Sequence, residues 1–355
     1  MKKVILTGSN GFLGHHIVEH ILKNTDWHIY AWDKLNYASM GYDRIREIQA
    51  FDERRIQFFT PDITREISDG IIRECKDAKI ILHAAAETHV DRSIEDPKPF
   101  VYSNVVGTMN MLDFACKCDN LEAFWYCSTD EVFGPALPPL NRSDRFTVED
   151  MTKLAQRDSG YKLKLYPVYK EWDRYNPTNP YSASKAGAEA LCLAYMNTYN
   201  IPGFITNCMN LFGERQHPEK FIPLCIRKIL KGESITIHGT KDKLKSGSRF
   251  YIHARNTANA VLWLIDHFDQ RDKYNIVGEK ELTNLEVAQK IADILGKPLY
   301  YEIVDFHSSR PGHDLRYGLD GYKLKTMGYK IPVTIDESLR KTVEWTVEHP
   351  QWLEV

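Results

Sequence analysis

Val4-Ile-Leu-Thr-Gly-Ser-Asn-Gly-Phe-Leu-Gly14 decides the fold. Its first four residues form a short apolar run that reads as a buried strand, and an amphipathic pattern over 12–23 reads as the helix that follows. Gly8, Gly11 and Gly14 sit at the junction with GxxGxxG spacing rather than GxGxxG. Glycines there let the backbone turn tightly, and a pyrophosphate then sits on the helix N-terminus. Glycine-rich turns are common, so the weight comes from position, between strand and helix at the start of the chain. Asp33 ends the second apolar run, 25 residues after Gly8. A carboxylate there binds ribose hydroxyls and repels a 2′-phosphate, which favours NAD over NADP; a turn aspartate is the structural alternative.

Outward from this stretch, short apolar runs alternate with helical patterns. Val4–Thr7, Ile29–Trp32, Ile56–Phe59, Ile80–His83, Phe124–Ser128 and Phe204–Asn207 read as strands, and 12–23, 105–117 and 182–199 as helices. Such alternation predicts an α/β fold, a Rossmann-type doubly wound parallel sheet. From about 278 the pattern changes: Thr283–Leu295 reads as a helix, Leu299–Val304 as a strand and Ile335–His349 as a final helix. These imply a smaller C-terminal α/β substrate lobe. The expected division is 1–206 and 249–277 for the NAD-binding domain, with 207–248 and 278–355 for the second lobe. Two segments read as added loops. Residues 135–180 hold six prolines, with one short helix capped by Thr147-Val-Glu-Asp150 and running to about Gln156. Residues 238–248 are polar and read as flexible.

Bulk composition narrows the classes. A chain of 355 residues, 43% hydrophobic and 26% charged, has material for a large core in two lobes. The formal net charge is −2 with no basic block, so no nucleic-acid partner is expected. No apolar run suits a signal peptide or a membrane span. Seven cysteines at 75, 116, 118, 127, 192, 208 and 225 fit neither a disulfide framework nor a zinc site, which suggests reduced thiols and a cytoplasmic protein. His83, His89 and His313 lack metal-ligand spacing, and no metal is expected.

Two blocks carry chemistry. Tyr181-Ser-Ala-Ser-Lys185 places a phenol and an ammonium four apart on one helix face. A nearby ammonium lowers a phenol's pKa, so Tyr181 is expected to accept an alcohol proton near neutral pH. Ser128-Thr-Asp-Glu-Val-Phe-Gly134 ends the fifth strand, where substrate lies in such folds. Thr129 is placed to hydrogen-bond a reacting hydroxyl. Asp130 and Glu131 are adjacent carboxylates; two that interact cannot both ionise freely, so one serves as acid and the other as base. Exposed Asp-Glu pairs are usually solvated, and the strand-end position is what favours chemistry here. Asp62 falls where an adenine-side contact is expected, and Ala84-Ala85-Ala86 are small enough for a cofactor to lie against the fourth strand.

At these residues the chain resembles the dTDP-glucose 4,6-dehydratases. The two blocks resemble that family's signatures, as do Ala85-Ala-Glu-Thr-His-Val-Asp-Arg-Ser93, Thr206-Asn-Cys-Met-Asn210, Pro218-Glu-Lys-Phe-Ile-Pro223 and Arg310-Pro-Gly-His-Asp314. They occur in family order over nearly the whole chain. The resemblance implies an NAD-dependent lyase acting on a nucleotide-diphosphate sugar, dTDP-glucose first and UDP-glucose second. It implies Tyr181 and Lys185 for oxidation at carbon 4, Glu131 as base at carbon 5 and Asp130 as acid at carbon 6. Thr88 and Asn210 are implied at the sugar or diphosphate, Lys220, Phe221 and Arg249 on the nucleotide side, and Asn284, Arg310 and His313 at the base and phosphate end. Further candidate cofactor contacts are Phe12, Leu13, Lys34, Asn36, Ile63, Ser103 and Leu211. It also implies a homodimer through the helices near 105–117 and 182–199. The chain departs from the family at Phe133 and Phe212, where Tyr is usual, and at Ser309, often Asp. The segment 135–180 and the loop before Arg249 look longer than usual.

Two other readings compete: a nucleotide-sugar 4-epimerase or decarboxylase on the same fold, and a non-catalytic NAD-binding scaffold. Asp130 discriminates the first, because elimination needs an acid for the leaving hydroxyl. The complete set of Thr129, Asp130, Glu131, Tyr181 and Lys185 argues against the second.

Overall fold

The computed structural model describes residues 1–137, 167–306 and 315–354. The helix expected after Thr147 and the positions Ser309, Arg310 and His313 lie outside the described residues. The six strands read in the first part of the sequence are present: β1 Lys3–Thr7, β2 His28–Trp32, β3 Ile56–Phe59, β4 Ile80–His83, β5 Ala123–Thr129 and β6 Gly203–Cys208. The short strands β7 Leu211–Phe212, β8 Ile235–Gly239, β9 Ser248–Arg249 and β10 Ile252–His253 follow, then β11 Asp272–Ile276, β12 Leu282–Thr283 and β13 Tyr301–Asp305. Seven of them form one parallel sheet in the order β11-β6-β5-β4-β1-β2-β3. β11 is the one the sequence reading omitted, because Asp272 and Lys273 break its apolar pattern.

Alternation along the strands builds two cores. Val4 and Leu6 face one side, where they pack with Ile17, Val18 and Ile21 of the Phe12–Asn24 helix and with Val261 and Leu264 of the Ala254–Ile265 helix. Ile5 points the other way, onto Met111, Leu112, Ala188, Cys192 and Met196. Each fully buried aliphatic side chain of this kind contributes about 1.5–3 kcal/mol. A third core joins Ile222, Ile226, Val287, Ile291, Leu339 and Val343 from the Phe221–Lys231, Asn284–Leu295 and Ile335–Glu348 helices.

Two local expectations change. The helix expected from 105 is preceded by a π-helical stretch, Val101–Val106, before regular α-helix over Gly107–Ala115. Asn104 holds it there, exchanging hydrogen bonds with the Glu87 backbone at 2.9 and 3.0 Å and donating to Ser184 at 2.9 Å. The segment 238–248 forms an organised turn rather than a flexible loop: Thr240 N donates to Lys245 O at 2.9 Å and Gly247 N to His238 O at 3.1 Å. Among the described residues no helix is long and apolar enough to cross a membrane.

Candidate active site

The carboxyl ends of β1, β2, β4, β5 and β6 open on one cavity of about 380 Å³. The glycine turn forms its floor. Gly8 has a φ of 69°, and a Cβ there would meet the Ala85 backbone at 2.9 Å. A Cβ on Gly14 would lie 1.9 Å from Gly8 O, so both positions exclude side chains. Gly11 caps the following helix without a side-chain hydrogen bond, which leaves the first-turn N–H groups to a ligand anion. Asp33 closes the end of β2; its carboxylate accepts from Leu35 N at 2.8 Å and Asn10 N at 3.0 Å, and burial pushes its pKa up.

Most candidates from the sequence meet in this cavity. Of the residues expected at the cofactor, Gly8, Gly11, Phe12, Leu13, Gly14, Asp33, Lys34, Asn36, Ile63, Ala84, Ala85, Ala86, Ser103 and Leu211 line it. Thr88, Thr129, Asp130, Glu131, Tyr181, Lys185, Asn210 and Lys220 line it too. Lys34 and Asn36 are both held 3.1 Å from Glu87 Oε1. Four candidates do not line the cavity. Asp62 is exposed, and its Oδ1 accepts from Thr64 N and Oγ1 at 3.0 and 2.8 Å, an Asx turn. Phe221 packs against the third core. Asn284 accepts from Tyr251 OH at 2.8 Å. Arg249 donates to Ser248 O and Leu315 O at 2.8 and 2.7 Å, with its guanidinium 4.7 Å over the Tyr317 ring.

The Pro180–Thr198 helix presents Tyr181 and Lys185. Pro180 takes the first helical position, and a capping box between Asn179 and Ser182 fixes the start. Thr129 joins the two chemical blocks. Its hydroxyl donates to Asp130 Oδ1 at 3.0 Å and accepts from Glu131 N at 3.3 Å, and it lines the same cavity wall as Tyr181. Burial, then the Glu131 charge, raises the Asp130 carboxyl to about 7. Burial also raises Glu131, but Asn179 Nδ2 donates to its Oε2 at 3.1 Å and opposes the shift. The two adjacent carboxylates are therefore unequal.

The expected effect of Lys185 on Tyr181 is not what the geometry gives. Lys185 Nζ donates to Cys127 O at 2.5 Å and lies 4.3 Å over the Tyr126 ring. Burial drives the Tyr181 phenol well above its ordinary value and Lys185 below its own. Desolvation dominates because both groups are buried in the cavity wall.

Several cavity residues carried no signal in the sequence. Cys127 and Cys208 both line the cavity; the Cys127 thiol donates to Ser128 O at 3.9 Å and Cys208 Sγ lies 3.6 Å from Thr206 Oγ1. Arg44, 1% exposed, donates to Asn10 O, Ala38 O and Ser39 O at 3.1, 2.6 and 3.1 Å, which shapes the loop beside Asp33. Asn179, the helix cap before Tyr181, also reaches Glu131 across 48 residues of chain. All seven cysteines are free, and among the described residues no cluster of three metal-ligating side chains exists.

Comparison with known proteins agrees with this geometry. Residues 4–277 match the model of the NAD dependent epimerase/dehydratase family. The chain belongs to that family. It is 33% identical to the dTDP-glucose 4,6-dehydratase of Salmonella typhimurium, covering 99% of this chain and 94% of the relative. It is 34% identical to the low-salt glycan biosynthesis protein Agl12 of Haloferax volcanii, over 96% and 97%. Among solved structures, DesIV, the dTDP-glucose 4,6-dehydratase of Streptomyces venezuelae with NAD bound, superposes with a TM-score of 0.81 at 31% identity, covering 99% of each chain.

Proposed function

We propose that this protein is an NAD-dependent nucleotide-sugar 4,6-dehydratase, a hydro-lyase that converts dTDP-glucose to dTDP-4-keto-6-deoxyglucose and water. The carrying observation is the placement of Asp130 and Glu131, both hydrogen-bonded to Thr129 and both lining one cavity with Tyr181 and Lys185. The glycine turn, the uncapped helix start and the Asp33 carboxylate suit NAD. The near-full-length dTDP-glucose dehydratase relatives favour dTDP-glucose over a UDP sugar.

The chain's own residues divide the reaction. Tyr181 accepts the proton of the carbon-4 hydroxyl while Thr129 hydrogen-bonds the same oxygen, and Lys185 holds the strand end below them. Bound NAD supplies the acceptor for the carbon-4 hydride, the donor that returns it to carbon 6, and a cationic ring that favours loss of a phenolic proton. The carbonyl at carbon 4 acidifies carbon 5. Glu131 removes the carbon-5 proton, and Asp130, neutral below about pH 7, protonates the carbon-6 hydroxyl, which leaves as water. The proton on Glu131 exchanges with solvent before carbon 5 is protonated again.

On this reading residues 1–206 and 249–277 bind NAD, and 207–248 with 278–355 hold the nucleotide sugar. Thr88, Asn210 and Lys220 contact sugar or diphosphate from the cavity wall. Phe221, Arg249 and Asn284 reach the nucleotide only if the substrate extends beyond the cavity toward the third core. The reading includes a homodimer, supported by exposed Val101, Tyr102 and Tyr199 near the 101–115 and 180–198 helices. It also includes a cytoplasmic setting, which suits seven free cysteines. Incubation with dTDP-glucose and UDP-glucose, followed by the alkali-induced absorbance of a 4-keto sugar, tests the assignment; no 4-keto product from either would refute it.

A further inference from the structure

The Pro180–Thr198 helix carries a third buried polar side chain on the stripe that holds Tyr181 and Lys185. Glu189, four residues beyond Lys185, is fully buried behind the cavity wall. Its carboxylate is the hub of a network. Lys273 of β11, 1% exposed, pairs with Oε2 at 2.9 Å. Tyr175 OH donates to Oε2 at 2.5 Å and accepts from Lys273 at 3.0 Å. Asn207 of β6 donates to Oε1 at 2.7 Å and also to Thr129 O at 3.1 Å. The Ser128 hydroxyl donates to Oε1.

Three consecutive residues of β5 are thereby held. Lys185 takes the Cys127 carbonyl, Glu189 takes the Ser128 hydroxyl, and Asn207, anchored on Glu189, takes the Thr129 carbonyl. Asp130 follows directly. Burying an ion pair costs desolvation that its attraction barely repays, and an apolar pair of similar size is often as stable. Stability alone therefore does not account for an ion pair at this place, whereas geometry at a reacting centre does: an error of about 1 Å can cost about 100-fold in rate.

We propose that Glu189 and Lys273 are a positioning pair for catalysis, holding the end of β5, and with it Thr129 and Asp130, against Tyr181. The proposal rests on the dehydratase reading above. Neither side chain touches substrate; both act through Ser128, Asn207 and Tyr175.

The test is the NAD-loaded double variant Glu189→Leu/Lys273→Met, which removes both charges and leaves no lone buried ion. Its melting temperature and bound NAD should match wild type. Its kcat should fall about 100-fold with KM for dTDP-glucose little changed, and carbon-4 deuteration of the substrate should slow it more than it slows wild type. A folded, NAD-loaded double variant with wild-type kcat and isotope effect would overturn the proposal. Should that variant fail to fold, Tyr175→Phe decides, since Tyr175 does not line the cavity: about tenfold lower kcat at unchanged NAD content supports the pair, and unchanged kcat refutes it. Wild type run in parallel separates the two claims, because absence of any keto sugar there defeats the dehydratase reading instead.

Discussion

Asn179 donates to Glu131 Oε2 at 3.1 Å, while one oxygen of neighbouring Asp130, Oδ2, is buried with no hydrogen-bond partner among the described residues. An unpaired carboxylate oxygen out of water favours the protonated form, and Asp130 titrates near 7 rather than 3.8. On the proposed mechanism this makes it the acid of the pair. The proton is fully present below pH 3.8, in folded and unfolded chain alike. Between about 3.8 and 7 the unfolded chain ionises first, so folding stability falls as pH rises through that window.

Asp130→Asn should therefore lose dehydratase activity and gain stability above pH 7. The gain is at most about 4 kcal/mol, and near pH 4 the variant should melt with wild type. Melting curves at the two pH values check this. In wild type, kcat should fall as pH rises through about 7 while the acid form is lost; a rate that keeps rising to pH 9 would contradict the assignment.

Gly14→Ala should abolish NAD retention, because its Cβ would lie 1.9 Å from Gly8 O and the turn must open. Asp33→Ala should weaken NAD and narrow its advantage over NADP. Nucleotide released on denaturing the purified protein reports both, and mostly NADP from wild type would count against the Asp33 role.

Tyr181→Phe and Glu131→Gln should fail at different steps. The first should leave the 340 nm absorbance flat on mixing with dTDP-glucose, because carbon 4 is never oxidised. The second should show that absorbance rising and persisting, with dehydration slowed by about two to four orders of magnitude. Near-normal dehydration by Glu131→Gln would remove it as the base.

Much of this was legible in the sequence because the decisive features are local. A strand, a glycine turn and a helix are neighbours in the chain, and Tyr181 with Lys185 share one helical face. What stayed hidden depends on distant partners. Nothing near Glu189 points to Lys273, 84 residues on. The Asx turn that Asp62 makes with Thr64 sets it outside the cavity lining, which its position in the chain does not show. The effect of Lys185 was misjudged because desolvation is a property of the folded cavity. The π-helical stretch follows from Asn104 reaching Glu87 and Ser184, contacts invisible to periodicity.

Light scattering at micromolar concentration should give twice the 41.1 kDa of the chain. Charging the exposed face with Tyr102→Glu should return the monomer if the 101–115 and 180–198 helices form the interface. A wild-type monomer would remove the dimer from the account.

The most direct measurement is product analysis after turnover of dTDP-glucose in deuterated water. The account predicts a 4-keto-6-deoxy sugar with one solvent deuterium at carbon 5, because Glu131 exchanges its proton before carbon 5 is protonated again. A sugar that keeps its carbon-6 hydroxyl and emerges inverted at carbon 4, with no deuterium at carbon 5, would make the enzyme an epimerase and contradict the account.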